Sequence, residues 1–344
     1  MRIVLLAILA VGCVACARNE PAQAPFHLVE RTHQTMGTEV RITAWTADES
    51  RAAGAVGEAF AEFDRLDGLL SVWKPESDVS RLNEAAGDHA VAVGPEMREV
   101  LTVARQVSEW TGGAFDATFG ALSGLWKFDN QDKDDTVPDR DEVRRRLPLV
   151  NYRDVDVDAG AGTGFLRRKG MRVNLGGIGK GYAVDRAVAI LRRRGVASFM
   201  IQAGGDMYVS GWRGDRPWRV GIRDPRGPAD KSFAALDLTD GTFSTSGDYE
   251  RFFMKGGRRY HHILDLSIGE PARGCRSVTL VTDRAVIADA LAKGVFILGP
   301  DRGMALVETL PQVEGVIVSA KNEVSISSGL RGRLTLSAPP TDAP

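Results

Sequence analysis

Cysteine is scarce in this chain of 344 residues: there are three, and two of them, Cys13 and Cys16, fall within the first sixteen positions. Cys275 therefore stands alone in the remainder, and a lone thiol excludes an internal disulfide there. The fold must be held by its hydrophobic core. We interpret Cys275 as a buried or idle thiol and not as a nucleophile.

An excess of charge of either sign is also missing. Lys and Arg number 44 and Asp and Glu number 45, so the formal net charge is -1. This balance lacks the basic footprint of a nucleic-acid binder and the polybasic face of a membrane-surface protein. Binding of a nucleotide cofactor is still allowed, since that requires local donors and not a global charge.

Long hydrophobic runs are absent too. The apolar run 3–11 at the start is far shorter than the roughly 20 residues that span a bilayer, but after Arg2 it suits a signal peptide. Small residues directly before Cys13 and Cys16 resemble the bacterial lipobox, in which the thiol is acylated. We favour Cys13, because Leu-Ala-Val-Gly is the better approach sequence. The alternative is a cleaved secretory signal with incidental cysteines.

The rest of the chain reads as one mixed domain without repeats. We assign a lipoprotein signal peptide and lipobox to 1–16, a tether to 17–28, a single domain to 29–330 and a flexible tail to 331–344. Helical spacing predicts helices over 52–70, 95–111, 182–194 and 285–298. Strand patterns cover 29–45 (a hairpin), 155–157, 164–168, 172–175, 198–202, 207–210, 218–222, 232–237, 241–244, 260–264, 303–307 (or a short helix) and 315–318. Helices early and strands late indicate an α+β fold with mostly antiparallel pairing.

Two polar segments interrupt this pattern. Residues 77–83 are interpreted as a short polar turn. Residues 128–141 form an acidic insertion that lacks the glycine and closing glutamate of a calcium loop, so we interpret it as a solvated loop.

Four glycines lie between a predicted strand and a predicted helix, in the segment Val-Asn-Leu-Gly-Gly-Ile-Gly-Lys-Gly-Tyr over 173–182. Backbone N–H groups at such a turn, together with the helix dipole, suit a phosphate. The segment is not a Walker A loop, because Gly181 and not Ser or Thr follows Lys180, nor is it the dinucleotide fingerprint. A tight structural turn is the alternative.

Two further patterns combine polar groups with apolar surroundings. His261 and His262 are adjacent in a predicted strand, so one faces inward, where it is either a general base or acid or a packed structural histidine. Asp289 and Lys293 are four residues apart on a helix that is apolar nearly all round, so this pair must face a polar cavity or another charge. Phe115 and Trp73 could stack on a planar ring or belong to the core.

The order of these motifs resembles the ApbE family of FAD:protein FMN transferases, from about residue 30 to 320. The motifs that carry the resemblance are Met-Gly-Thr at 36–38, Leu-Ser-Val-Trp at 70–73 with 77–83, Gly-Ala-Phe-Asp at 113–116, the glycine segment 175–182, Ala-Gly-Gly-Asp at 203–206, Ser-Thr-Ser-Gly-Asp-Tyr at 244–249, His-Ile-Leu-Asp at 262–265 and Ala-Asp-Ala-Leu-Ala at 288–292. Many separate motifs in one order are a specific signal.

The resemblance implies a T-fold-like α+β architecture with FAD in a cleft between two lobes. It implies an enzyme that cuts the FAD diphosphate, releases AMP and joins FMN to a Ser or Thr hydroxyl of a partner, usually a membrane redox-complex subunit. It places His262 as the base, and Asp289 with the Gly179 carbonyl as ligands of Mg²⁺. By position, the residues implied to line the FAD pocket are Met36, Trp73, Ala114, Phe115, Asp116 and Lys180.

This chain departs from the family pattern where the metal is expected. Lys293 stands where a Thr ligand is usual, Asn174 replaces an Asp, and Gly179 replaces an Ala; after the histidine, 265–269 replaces the usual Asp-Pro-x-Thr-Gly. An ammonium donates and cannot ligate a metal. Three functions remain open: the FMN transferase, an FAD pyrophosphatase that yields FMN and AMP, and a flavin-binding lipoprotein without catalysis. In each case the expected location is a bacterial membrane facing the periplasm.

Overall fold

Eighteen strands and seven α-helices form in the part of the chain that the computed structural model describes, residues 25–128 and 135–343. The helices are α1 Glu49–Leu70, α2 Asp78–Glu84, α3 Pro95–Trp110, α4 Arg140–Arg146, α5 Gly179–Arg193, α6 Ala285–Leu298 and α7 Pro300–Thr309. The strands are β1 His27–Thr35, β2 Thr38–Thr46, β3 Val91–Ala92, β4 Val155–Asp158, β5 Thr163–Leu166, β6 Phe199–Ala203, β7 Asp206–Ser210, β8 Trp218–Arg223, β9 Ser232–Leu238, β10 Asp240–Gly247, β11 Phe252–Lys255, β12 Arg258–His261, β13 Leu264–Asp265, β14 Glu270–Pro271, β15 Cys275–Thr282, β16 Glu314–Ser319, β17 Val324–Ile326 and β18 Leu334–Leu336.

An eight-stranded sheet in the order β1-β2-β6-β7-β10-β15-β16-β17 forms the centre of the fold. Each neighbouring pair in it is antiparallel. Two three-stranded sheets, β18-β9-β8 and β3-β5-β4, and the hairpins β11-β12 and β13-β14 complete the strand pairing. The α+β class with antiparallel pairing is confirmed.

The central sheet is covered on both faces. Alternate residues of β2, namely Val40, Ile42 and Ala44, are fully buried in a core that also contains the apolar faces of α1, α5 and α6. On the other face Phe243 and Val316 pack in a separate cluster with β8 and β9. The period of two along each strand sends side chains alternately into these two layers.

Helices α5 and α6 lie side by side, and two contacts fix their relative position. A Cβ atom at Gly181 would lie 2.2 Å from the backbone oxygen of Ala285, so only glycine allows this approach. Asp185 of α5 accepts hydrogen bonds from the backbone N–H groups of Ala285 (2.7 Å) and Val286 (3.1 Å), which satisfies two donors at the start of α6. The residues that follow on α6 are thereby held against the first turn of α5.

The four predicted helices are confirmed as α1, α3, α5 and α6, and the bounds of α6 are those expected. The hairpin over 29–45 is confirmed as well, and the predicted strands 198–202 and 207–210 pair with each other as β6 and β7. Cys275 is buried without a disulfide, and burial raises the pKa of its thiol to about 12, in line with an idle thiol. None of the described helices is both long and apolar enough to span a bilayer.

Other expectations were wrong. The polar turn at 77–83 is helix α2, in which the Ser77 hydroxyl accepts from the Ser80 N–H (3.1 Å) as an N-cap. The segment 172–175 is no strand, because the side-chain amide of Asn83 pairs with the backbone of Val173. Of the two alternatives for residues 303–307, the short helix is confirmed, since they lie within α7.

The region beyond 330 also differs from the flexible tail that the sequence suggests. Strand β18 pairs with β9, and Thr341 donates from both its N–H and its hydroxyl to Asp224. Arg276, which is buried, donates to the Thr341 carbonyl. The signal peptide and lipobox, most of the tether and the residues 129–134 of the acidic insertion lie outside the described residues.

Candidate active site

A cavity of about 740 Å³ opens between the glycine segment, the 114–128 loop and the strands that follow β12. That volume is within the range of small-molecule and cofactor sites. Its lining joins residues that are far apart in sequence: Trp73, Ala114, Phe115, Asp116, Trp126, Phe128, Arg172, Gly176, Gly177, Arg251, His262, Leu264, Leu266 and Lys293 are among them.

One wall of the cavity is aromatic. Trp126 and Phe128 line it, and their rings stack at a centroid distance of 5.7 Å. Behind them Trp126 stacks on Tyr260 (5.9 Å) and Phe128 on Phe253 (5.9 Å), so the hairpin β11-β12 supports the wall. Flat, rigid rings of this kind suit a planar aromatic ligand.

The charged lining is strongly unequal in sign. Its cationic side chains are Lys127, Arg146, Arg172, Arg251 and Lys293. Asp116 is the carboxylate among the lining residues, and its oxygens are directed to protein donors as described below. A concave surface with this excess of positive charge attracts anions.

The glycine segment forms the cavity wall next to Lys293. A Cβ atom at Gly177 would lie 3.2 Å from Lys293 Cδ and 3.4 Å from a ring carbon of Phe115, so the backbone packs directly against both side chains. Gly179 then begins α5, with its N–H donating to the Leu175 carbonyl at 2.7 Å. The segment therefore brings a helix N-terminus and bare backbone to the cationic end of the cavity.

His262 follows β12 and lines the cavity, whereas His261 is buried and bonds through Nε2 to the Ala272 carbonyl (2.7 Å). Burial lowers the pKa of His262 to about 3, and the positive charge of Lys293 acts in the same direction. The imidazole is therefore neutral at physiological pH. Its Nδ1 lies 3.3 Å from the Arg251 carbonyl, which can only accept, so Nδ1 carries the proton and Nε2 keeps a lone pair.

Asp116 braces the wall more than it faces a ligand. One carboxylate oxygen accepts from the Thr118 N–H (2.8 Å) and the other from the Tyr152 N–H (2.7 Å). Burial raises the pKa of Asp116, and these donors oppose that effect. Asp116 and Ala114 also line a second cavity of about 340 Å³, so this wall separates two spaces.

Four charged side chains form a buried cluster behind the cavity: Lys180, Asp206, Asp289 and Lys293. The Lys293 ammonium bonds to Asp289 Oδ1 and, at 2.9 Å, to the Asp289 carbonyl. Lys180 Nζ lies 3.4 Å from Asp206 and 3.9 Å from Asp289 Oδ2. The Gly181 N–H donates to the same Oδ2 at 3.0 Å, so both oxygens of Asp289 are engaged.

Burial and neighbouring charges shift the pKa values of Asp206, Asp289 and Lys180. Burial and the nearby Asp289 charge raise the pKa of Asp206. Burial also acts to raise the pKa of Asp289, but Lys180 and Lys293 outweigh it and lower that pKa. Burial acts against the charge of Lys180, yet Asp289 and Asp206 raise its pKa. Two partly exposed ammonium groups thus face two buried carboxylates.

The residues expected at the site divide into two groups. Trp73, Ala114, Phe115, Asp116, His262 and Lys293 line the cavity, with Trp73 at 83% exposure on its rim. Met36, Gly179, Lys180 and Asp289 lie outside that lining: Met36 packs near Gly179, and Lys180 and Asp289 belong to the buried cluster.

Several site residues escaped the sequence reasoning. Asp206 ends the Ala-Gly-Gly-Asp motif at 203–206, and the signal for it was a carboxylate directly after Gly-Gly. Arg251 follows the motif at 244–249, and nothing in its local pattern marks it. Trp126 and Phe128 flank the start of the acidic insertion and become a wall through long-range stacking on β11 and β12.

Comparisons with known proteins show the family to which this chain is similar. The sequence profile of the ApbE family matches residues 36–317. A curated relative named FAD:protein FMN transferase, from Treponema pallidum, is 31% identical over 341 residues and covers 94% of this chain and 93% of its own. One of the same name from Klebsiella pneumoniae is 30% identical, covering 87% of this chain and 92% of its own.

Solved structures give the same result. The crystal structure of the ApbE protein of Thermotoga maritima superposes with a TM-score of 0.82 and 32% identity, covering 89% of this chain and 99% of that one. The flavin transferase ApbE of Vibrio cholerae gives 0.80 and 26%, covering 90% and 100%. The class is thus an α+β protein with an anion-attracting, aromatic-walled cavity. The chain belongs to the ApbE family. A cleft between two lobes remains an expectation from the sequence.

Proposed function

We propose that this protein transfers the FMN portion of FAD to a Ser or Thr hydroxyl of a partner protein and releases AMP. The observation that carries the proposal is the cavity itself, which joins an aromatic wall, a cationic end and a neutral imidazole. The two relatives described above are named FAD:protein FMN transferase, and this chain aligns with 93% and 92% of their length.

The lining fits the two chemical parts of FAD. Trp126 and Phe128 offer flat apolar surface to an aromatic ring system, with Leu264 and Leu266 beside them. Lys293 offers positive charge to a diphosphate, and the bare backbone of Gly177 beside it lets a phosphate come close. A flavin without phosphates would use only the first of these surfaces, so FAD should bind more tightly than riboflavin.

His262 supplies the proton acceptor. The acceptor hydroxyl oxygen attacks the phosphorus on the FMN side of the diphosphate, and the bond from that phosphorus to the bridging oxygen breaks. AMP leaves with the bridging oxygen, and the hydroxyl proton passes to His262 Nε2. The imidazole is neutral at working pH, and the Arg251 carbonyl holds the ring with Nε2 open to accept the proton.

A divalent metal fits these residues poorly. Asp289 has both oxygens engaged, and the position expected to supply a further ligand carries the ammonium of Lys293. In the described part of the chain no three His, Cys, Asp or Glu side chains are grouped as a metal site. We therefore derive no step through Mg²⁺.

AMP release tests the proposed reaction. The full chain is incubated with FAD, with and without a candidate acceptor domain, and with that domain's target hydroxyl residue replaced by Ala. AMP formed only with the intact acceptor supports transfer. AMP formed equally without acceptor would show a pyrophosphatase, and no AMP in any arm would show a flavin-binding protein without catalysis.

We further propose that the protein is exported, acylated at Cys13 or Cys16, and anchored at a bacterial membrane facing the periplasm, where a membrane redox-complex subunit is its acceptor. The support is the signal-like run 3–11 and the small residues before each cysteine. Replacing both cysteines by Ser should abolish acyl labelling and release the protein from membranes. A double variant that still partitions with membranes would refute the anchor.

A further inference from the structure

We propose that the ammonium of Lys293 is the fixed cation of this site, and that the protein binds the FAD diphosphate without a divalent metal ion. The inference rests on the proposed function, because it assumes that FAD is the ligand. It concerns how the charge on that ligand is neutralised in this particular chain.

Lys293 places its charge at the wall of the cavity. Its side chain lines the cavity, and its stem packs against the backbone of Gly177 and beside Phe115. The side chain is 20% exposed, whereas Asp289 beneath it is fully buried. The charge that the cavity meets here is therefore the ammonium and not the carboxylate.

Two hydrogen bonds hold the ammonium of Lys293 in place. Lys293 Nζ donates to the Asp289 carboxylate and to the Asp289 carbonyl. An ammonium has three donors, so one remains for a ligand oxygen. Because two bonds already hold Nζ in place, a phosphate oxygen would meet a positioned donor and not a free side chain.

The positive and negative charges of the cluster are equal in number. Lys180 and Lys293 balance Asp206 and Asp289, so the buried group is neutral as it stands. A divalent ion on Asp289 would have to displace an ammonium and would place two further charges among two cations. Mg²⁺ also demands near-octahedral oxygen coordination, whereas both oxygens of Asp289 already accept a hydrogen bond from a protein donor.

Titration of FAD into the full chain, followed by flavin fluorescence, tests the inference. In wild-type protein the FAD affinity in EDTA and in excess Mg²⁺ should agree within about threefold, since no metal takes part. Lys293→Met should weaken FAD binding by at least about tenfold in both media and leave riboflavin binding unchanged. Lys293→Arg, which keeps the charge, should retain metal-independent binding.

Lys293→Thr provides the sharpest contrast, because it removes the cation and frees one oxygen of Asp289. Its FAD affinity should fall in EDTA and recover with Mg²⁺, and Mn²⁺ binding seen by electron paramagnetic resonance should appear in this variant but not in wild type. Circular dichroism and riboflavin affinity control for folding. The wild-type comparison needs no variant, so a misfolded Lys293→Met would leave it intact.

Two outcomes overturn the inference and differ in what else they overturn. Wild-type FAD binding that is lost in EDTA and restored by Mg²⁺ would defeat the metal-free site alone. Absence of FAD binding in both media would defeat the proposed function, and this inference with it.

Discussion

Removal of Lys180 should destabilise the fold, because its ammonium faces two buried carboxylates. Its ammonium lies 3.4 Å from Asp206 and 3.9 Å from Asp289, and the two carboxylates are 3% and 0% exposed. At an effective dielectric constant of about 20, each attraction is roughly 4–5 kcal/mol before desolvation is subtracted. Breaking a buried pair by removing one partner destabilises proteins by about 3–5 kcal/mol, and we expect Lys180→Met to fall in this range.

Urea unfolding of the full chain at neutral pH, monitored by circular dichroism, measures this loss. The matched control is Lys74→Met, which removes an exposed lysine 3.7 Å from Asp67 and should change the free energy of unfolding by less than about 1 kcal/mol. The double variant Lys180→Met/Asp206→Asn removes both charges of the buried pair. It should be less destabilised than the sum of its single changes by at least about 1 kcal/mol.

The pH dependence of the free energy of unfolding provides an independent test. The pKa of Asp206 is already raised in the folded protein by burial and by Asp289, and loss of Lys180 raises it further. A folded-state pKa above the unfolded value means that the folded state binds more protons. Stability therefore falls as the pH rises from the unfolded-state pKa of Asp206 through its raised folded-state pKa. The deficit of Lys180→Met should therefore shrink on acidification. Two results would refute the reasoning: a free energy of unfolding of Lys180→Met within about 0.5 kcal/mol of the wild-type value at neutral pH, or a double variant whose loss equals the sum of the two single losses.

The remaining predictions concern the base and the α5–α6 contact. His262→Gln should slow AMP release by about 10²–10⁴-fold without changing FAD affinity, and the wild-type rate should show no titration near pH 6.5, because the pKa of His262 lies at about 3; an unchanged rate in the variant would exclude the base. Asp185→Ala should lower the free energy of unfolding by about 1–3 kcal/mol in urea, since it orphans two N–H groups at the start of α6, whereas Asp185→Asn should lose less; equal losses would contradict the capping role. Gly181→Ala should yield little folded protein on size-exclusion chromatography, because its Cβ would lie 2.2 Å from the Ala285 oxygen, while Gly68→Ala, which meets no atom within 4 Å, should be neutral or stabilising; a folded, FAD-binding Gly181→Ala would show that the helices can separate.

Periodicity predicted those elements that bury a stripe or an alternate face. Helix α6 was found with its bounds because its apolar run ends at Leu298, just before Gly299. Helix α2 was missed because it is short and polar, and its stability comes from the Ser77 cap and from Val79 and Leu82 in the core. Tertiary burial of two side chains outweighed the local polarity.

Strand β15 was missed for a different reason. All but one of its residues are buried, because it lies between β10 and β16 and is covered on both faces. Its residues alternate between polar and apolar only over 277–280, and Arg276 and Val281 break the pattern on either side of this short run. The final strand β18 was hidden in a Pro-bearing tail, and it forms only because β9 offers an edge to pair with.

The sequence predicted several residues of the cavity but not the contacts between residues that are distant in the chain. His262, Lys293 and Phe115 were expected near one ligand, and they do line one cavity. The link between Lys180 and Asp206 depends on the β6-β7 hairpin bringing Asp206 against α5, which no local pattern encodes. Pairings of this kind are set by long-range packing.

The intact mass of the acceptor after incubation with FAD tests the central claim most directly. The acceptor domain is incubated with FAD and the full chain, and its mass is compared with that of the same domain whose target hydroxyl residue is Ala, and with a reaction containing His262→Gln. The proposed function predicts that the intact acceptor gains one FMN less one water in the wild-type reaction, with little gain in either control. An acceptor of unchanged mass in a wild-type reaction that consumes FAD would contradict it.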